Sequence, residues 1–179
     1  MLVTGAAGGV GVAAVQLGVA SGVTVVASVR DPNLRTDVAS FGAEAIAPDE
    51  HAAHGPYDVI LEMFPRANLA EDITVLATGG RIHIVSLVGG PRVEVDFSDL
   101  MARRGSLHSS GLKTRGIEAV SDVARRVEAE VVPLLASGTV RVPVFATYPL
   151  SEAAAAYKRF VEGGKFGKII LCPEAVTAP

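Results

Sequence analysis

Two groups of residues near the start of the chain have the types and spacing needed to hold phosphates. The first is Gly5-Ala6-Ala7-Gly8-Gly9-Val10-Gly11, directly after the apolar Leu2-Val3-Thr4. Phosphate oxygens need backbone N–H groups at close range, and glycine leaves the backbone clear where it must approach them. Ala7, Gly8 and Gly9 are therefore expected against a pyrophosphate. Val10 should open the next helix, whose positive end favours an anion, and Gly11 should let that helix pack closely on the first strand. The dinucleotide pattern G-x-G-x-x-G is met as Ala6-x-Gly8-x-x-Gly11. The second group is Ser28 and Arg30, at the end of the apolar run Val23–Val29. In dinucleotide-binding folds this strand end faces the adenine ribose, and an acid there binds the 2′-hydroxyl. A hydroxyl beside a guanidinium suits a 2′-phosphate instead, and Arg35 could add a second positive charge. NADP(H) is thus expected ahead of NAD(H), with Asp31 leaving the second cofactor open.

These residues need a strand-turn-helix frame, and the pattern supplies one. Met1–Thr4 reads as the end of a strand. Val10–Ala20 reads as a helix with Val10, Ala13, Ala14 and Leu17 on one face, stopped by Ser21-Gly22. Val23–Val29 is a β-branched run fit for a strand covered on both sides. A helix over Pro32–Phe41 and a strand over Glu44–Ala47 follow, then a strand over Tyr57–Met63, a helix over Asn68–Ala77, a turn at Thr78-Gly79-Gly80 and a strand over Arg81–Leu87. This rhythm implies parallel strands, with ligand beyond their carboxyl ends. Glu62-Met63-Phe64 and Ser86-Leu87-Val88 should then lie near the nicotinamide half of the cofactor. His51 and His54 have i,i+3 spacing, but Gly55 and Pro56 point to a solvated loop and no metal site. His83 is expected to be packed and hydrogen-bonded. Farther on, Ser98 should cap a short helix to Arg104, and Ser106–Ser110 could form a strand. Thr114–Ser137 should be mainly helical, bent at Pro133. Val140–Phe145 should be extended, Ser151 should cap a helix to Val161, Gly167–Cys172 should be the last strand, and 174–179 a frayed tail. The expected fold is α/β: a Rossmann-type doubly wound parallel sheet over residues 1–139, then a C-terminal strand-helix-strand segment over 140–179.

Composition narrows the partners. With 49% hydrophobic and 20% charged residues the chain is globular, and 16 basic against 19 acidic residues leave no cationic footprint for nucleic acid or a membrane surface. Residues 1–29 carry no charge, but no Lys or Arg precedes them and glycines interrupt them, so neither a signal peptide nor a membrane helix is expected. Cys172 is the only cysteine, which excludes an intrachain disulfide and fits a reducing, cytoplasmic setting.

Thr4-Gly5-Ala6-Ala7-Gly8-Gly9-Val10-Gly11, Gly79-Gly80-Arg81-Ile82 and Phe166-Gly167-Lys168-Ile169-Ile170-Leu171 together resemble the medium-chain dehydrogenase/reductase superfamily, in particular its quinone oxidoreductase (zeta-crystallin-like) branch. The resemblance implies the cofactor-binding half of a zinc-independent enzyme that transfers hydride from NADPH to a quinone or enone, the small-molecule acceptor. It also implies a homodimer. In relatives an N-terminal catalytic domain precedes the glycine turn and residues 140–179 pack partly on it, so this fragment alone is expected to be inactive, with no catalytic or metal residue to carry over. Two departures stand out. Phe64-Pro65-Arg66 replaces a small glycine-containing segment, and Pro48-Asp49 stands where relatives place a tyrosine near the 2′-phosphate.

Two other readings use the same turn. Thr4-Gly5-x-x-x-Gly9-x-Gly11 also fits short-chain dehydrogenases, whose proton transfer needs a Tyr with a Lys four residues later. Tyr57, Tyr148 and Tyr157 all lack that lysine. A non-catalytic NADPH-binding module or sensor would show intact phosphate-binding features without a proton donor.

Overall fold

The computed structural model describes residues 1–111 and 113–173, and the expected tail at 174–179 lies outside them. Six parallel strands form the main sheet in the order β3-β2-β1-β4-β5-β6. They are β1 (Leu2–Val3), β2 (Val26–Ser28), β3 (Glu44–Ile46), β4 (Tyr57–Glu62), β5 (Leu76–Ile84) and β6 (Ser106–Ser109). The order reverses at β1, which pairs with β2 on one side and β4 on the other. This is the expected doubly wound, Rossmann-like architecture.

Strand residues alternate between two cores, which explains why the runs are apolar throughout. Leu2, Val26, Ile60 and Ile82 join one buried cluster, while Val3, Ala27 and Val29 join the other. Helix α1 (Gly9–Ala20) and α2 (Arg35–Ala39) cover the second face through Val15 and Val38. The short α3 (His51–His54) lies between β3 and β4. On the first face, α4 (Pro65–Thr74) contributes Leu69 and Ile73.

Several expected boundaries move for local reasons. Helix α1 buries Gly11, Val12, Val15 and Gln16 rather than the face through Val10, Ala13, Ala14 and Leu17; Val10 is 59% exposed. The helix is apolar throughout except for Gln16, which gives periodicity little contrast. Helix α4 begins three residues before the expected Asn68, because Pro65 fits a first helical turn that needs no N–H. The Thr78-Gly79-Gly80 turn is absorbed into β5 as an irregularity in its pairing with β4. Asp96, not Ser98, caps α5 (Phe97–Ala102), its carboxylate accepting from the Ser98 N–H at 2.8 Å. The long helical stretch divides into α6 (Ile117–Arg126), a π turn (Val127–Val131) and α7 (Val132–Ala136), consistent with the missing N–H of Pro133.

The C-terminal unit is β7 (Val144–Pro149), α8 (Ala153–Val161) and β8 (Lys168–Cys172), with β7 and β8 parallel in their own sheet. The extended stretch thus begins later than Val140. Ser151 lies inside a 3-10 turn, Leu150–Glu152, that leads into α8. The unit meets the main domain at Gln16, whose side chain accepts from the Arg141 N–H at 2.8 Å and donates to the Arg141 carbonyl at 2.9 Å.

Candidate functional site

The glycine turn is built by close backbone approach. Gly5 has φ 58° and its carbonyl accepts from the Gly8 N–H at 2.9 Å. A methyl at Gly11 would overlap Gly5 O and the Ala6 backbone, so helix and turn touch there as expected. Gly8 is the N-cap of α1 and supplies no capping side chain, leaving the N–H groups of the first turn for an external anion. Thr4 secures the preceding strand to β4: its Oγ1 accepts from the Met63 N–H at 2.9 Å and donates to the Leu61 carbonyl at 3.3 Å.

An open cleft of about 420 Å³ lies beyond the carboxyl ends of β1 and β2. Of the residues singled out from sequence, Ala7, Gly8, Ser28 and Arg30 line it together. Gly9 borders an adjoining hollow shared with Lys168. Val10 opens to solvent at the start of α1. Arg35 is outside the cleft lining, its Nε donating to the Val29 carbonyl at 3.1 Å. Ser86, Leu87 and Val88 sit in the loop after β5, also outside the lining; Leu87 and Val88 are exposed. Arg66 ties that loop to α4 through the Gly89 carbonyl at 3.2 Å.

The departure at Phe64 has a structural consequence: its ring lies over Gly5 and lines the cleft beside Asn68. Two further features escape a reading of the sequence. Lys168 extends from β8 so that a methyl on Gly9 would collide with its Nζ, placing a cation at the start of α1. The C-terminal Phe-Gly-Lys pattern carries only a resemblance, and its proximity to the turn depends on the docking of β8.

The second is His51. The expected solvated loop is instead a 3-10 turn, Pro48–Glu50, continuing into α3, and His51 is 1% exposed. Its Nε2 lies 2.8 Å from Ser28 Oγ, and the Tyr57 hydroxyl donates to its carbonyl at 3.0 Å. Alternation could not disclose this burial because the helix is only four residues long. Burial holds the imidazole below its ordinary pKa against the pull of Glu71, Glu62 and Asp49, and pushes the Tyr57 phenol up to about 12. Asp72 and Glu62 are both fully buried nearby; burial first, then Glu62, raises the Asp72 pKa well above the usual carboxylate range. His83 is hydrogen-bonded, to Ser110 Oγ at 2.9 Å, but stacks on His108 at the partly exposed β5–β6 surface.

The family model described as zinc-binding dehydrogenase matches residues 25–171. The chain belongs to this family. A quinone oxidoreductase of Mus musculus is 30% identical over 184 residues, covering 96% of this chain and 54% of the relative. The Homo sapiens quinone oxidoreductase is 28% identical, with shares of 96% and 54%. The chain therefore spans about half the length of these curated relatives. Among solved structures, the quinone oxidoreductase of Thermus thermophilus, described with its NADPH complex, aligns with a TM-score of 0.78 and 28% identity, over 95% of this chain and 56% of that one. These likenesses support a nicotinamide-dinucleotide-binding domain of the medium-chain dehydrogenase/reductase type. Zinc does not fit the residues in hand: among the described residues no three His, Cys, Asp or Glu side chains are grouped to hold a metal, and Cys172 is exposed. Nor is any described helix long and apolar enough to cross a membrane.

Proposed function

We infer that this chain is the NADP(H)-binding part of a quinone oxidoreductase-like enzyme, acting without zinc on a quinone or enone. The observation that carries the reading is the cleft wall, where Gly8, the N-cap of α1 without a side chain, and Arg30 lie along one groove. The first-turn N–H groups of α1 and Lys168 would hold the pyrophosphate, and Arg30 would face a 2′-phosphate. When bound, the cofactor supplies the hydride. Phe64 and the Ser86–Val88 loop would border its nicotinamide end. Exposed Val142, Val144, Phe145 and Leu171 are assigned to contact with a catalytic domain of the kind that the remaining length of the relatives would supply.

Nucleotide fluorescence tests this reading directly. NADPH and NADH should both bind, and Arg30→Ala should weaken NADPH by about tenfold more than NADH, the loss of roughly one charged contact. Equal losses for the two nucleotides would count against the role of Arg30. Purified 1–179 should bind cofactor yet reduce a quinone panel poorly, whereas robust turnover would reject the division of labour.

A further inference from the structure

A line of buried polar groups runs from the cleft wall into the core. His51 Nε2 is 2.8 Å from Ser28 Oγ, and His51 Nδ1 is 3.8 Å from Asp72 Oδ1. The Asp72 carboxyl in turn adjoins Glu62. Ser28 is 4% exposed, His51 1%, and both acids are fully buried. Glu62 accepts from the Phe64 N–H and from Asn68 Nδ2. Among the described residues, His51 Nδ1 and both Asp72 oxygens are buried without a hydrogen-bond partner.

One arrangement of protons suits these groups together. Glu62 is held by amide donors, and Asp72, whose pKa burial and then Glu62 raise, keeps its proton and turns it towards Glu62. The other Asp72 oxygen lies 3.8 Å from His51 Nδ1, longer than a hydrogen bond but close enough to favour the imidazole hydrogen on that nitrogen, which leaves Nε2 bare. Ser28 must donate to that bare nitrogen, which leaves only lone pairs for the cleft. Such a serine suits a ribose hydroxyl, which can donate, and repels a phosphate, which cannot.

We propose that His51 is a positioning residue for cofactor choice: neutral, it makes Ser28 an acceptor matched to a ribose 2′-hydroxyl; protonated, it makes Ser28 a donor matched to a 2′-phosphate. This rests on the reading of the cleft as a dinucleotide site with its adenosine end at Ser28. The charged and titratable groups around His51 are Asp49 from the 3-10 turn, Tyr57 and Glu62 from β4, Glu71 and Asp72 from α4, and Arg30 beyond Ser28 at the end of β2. Without a phosphate beside Ser28, burial favours the neutral ring. A phosphate dianion on the far side of Ser28 adds negative charge, and the ring takes up one proton from solvent on binding and returns it on release. Arg30 attracts the phosphate at every pH, so His51 adjusts a preference that Arg30 creates.

The test is the pH dependence of the ratio of NADPH to NADH affinity, measured by nucleotide fluorescence above and below neutrality in wild type, Ser28→Ala and His51→Gln. In wild type the ratio should rise as pH falls, by at most about tenfold per pH unit, the limit for one proton. The phosphate's own ionisation, near pH ~6, acts in the opposite sense and is common to all three proteins. Ser28→Ala loses the hydroxyl relay and keeps only the direct pull between ring and phosphate, so its rise should be shallower than that of wild type. In His51→Gln the amide can donate to Ser28 or accept from it but does not titrate, so the ratio should lose the rise at low pH and follow the phosphate background alone. Nitrogen NMR of His51 supplies a readout that a merely structural role would not move: hydrogen on Nδ1 in the free protein and on both nitrogens with NADPH. Should His51→Gln fail to fold, Ser28→Ala, which loses only a hydroxyl, decides. The same pH dependence in wild type and Ser28→Ala overturns the proposal. A ratio that never favours NADPH but still varies through Ser28 supports it while removing the NADP(H) reading. Failure of both nucleotides to bind removes both.

Discussion

A methyl group is the smallest probe of the glycine turn, and two of its glycines should answer it differently. At Gly11 it has nowhere to go, since Gly5 O and the Ala6 backbone occupy the space; Gly11→Ala should cost about 1–3 kcal/mol in urea unfolding through forced repacking. At Gly8 the only neighbour of an added Cβ among the described residues is Gly5 O at 3.2 Å, so Gly8→Val should fold but lose cofactor affinity by about tenfold or more as its branch enters the cleft. Normal binding by a folded Gly8→Val protein would place the ligand elsewhere. Asp72 makes a prediction of opposite sense. Its carboxyl keeps a proton in the folded state that the unfolded chain releases above about pH 4. The folded state therefore binds more protons, and this group's contribution to stability falls as pH rises. Asn at position 72 can donate to Glu62 and accept from His51 without that proton. Urea midpoints between about pH 7 and pH 9 should accordingly fall less steeply for Asp72→Asn than for wild type, by up to about 1.4 kcal/mol per pH unit.

Elements carry the next set of consequences, and Lys168 is the clearest. It belongs to β8, yet its Nζ lies at the start of α1. Because it would meet the pyrophosphate common to both nucleotides, Lys168→Ala should weaken NADPH and NADH by a similar factor, on the order of tenfold, in contrast to the selective loss at Arg30. The same contrast explains what the sequence could disclose. The glycine turn, the strand after it and the parallel direction of the central strands were legible because each depends on local geometry: a backbone approach, a β-branched run, a strand-helix rhythm. That Ser28 and Arg30 line the cleft was legible for the same reason, since they lie at a strand end whose direction is set by the fold. Arg35 was not, because its guanidinium could reach either the cleft or the Val29 carbonyl and only packing decided between them. His51 was hidden because three elements, β2, β4 and α4, must assemble around α3 before its neighbours exist.

At the scale of the whole molecule, β6 is the outermost strand of the main sheet and, among the described residues, pairs on one side only, with β5. Leu107 on that strand is 37% exposed. An open edge of this kind is a template for a second copy, and we propose a homodimer joined edge to edge at β6. Sedimentation of 1–179 should give twice the monomer mass, and a proline at Leu107 should shift it towards monomer; a monomeric wild type would reject the pairing. The contact between Gln16 and Arg141 adds a different constraint. By accepting from one backbone N–H and donating to the carbonyl of the same residue, the glutamine side chain imitates a rung of a β-ladder. A helix has thus been given the grammar of a strand at one point along its length. That rung fixes the phase of everything downstream of residue 141 against the helix that begins the nucleotide cleft. The cation delivered by β8 is therefore aimed from the middle of α1, about two turns from the place where it acts.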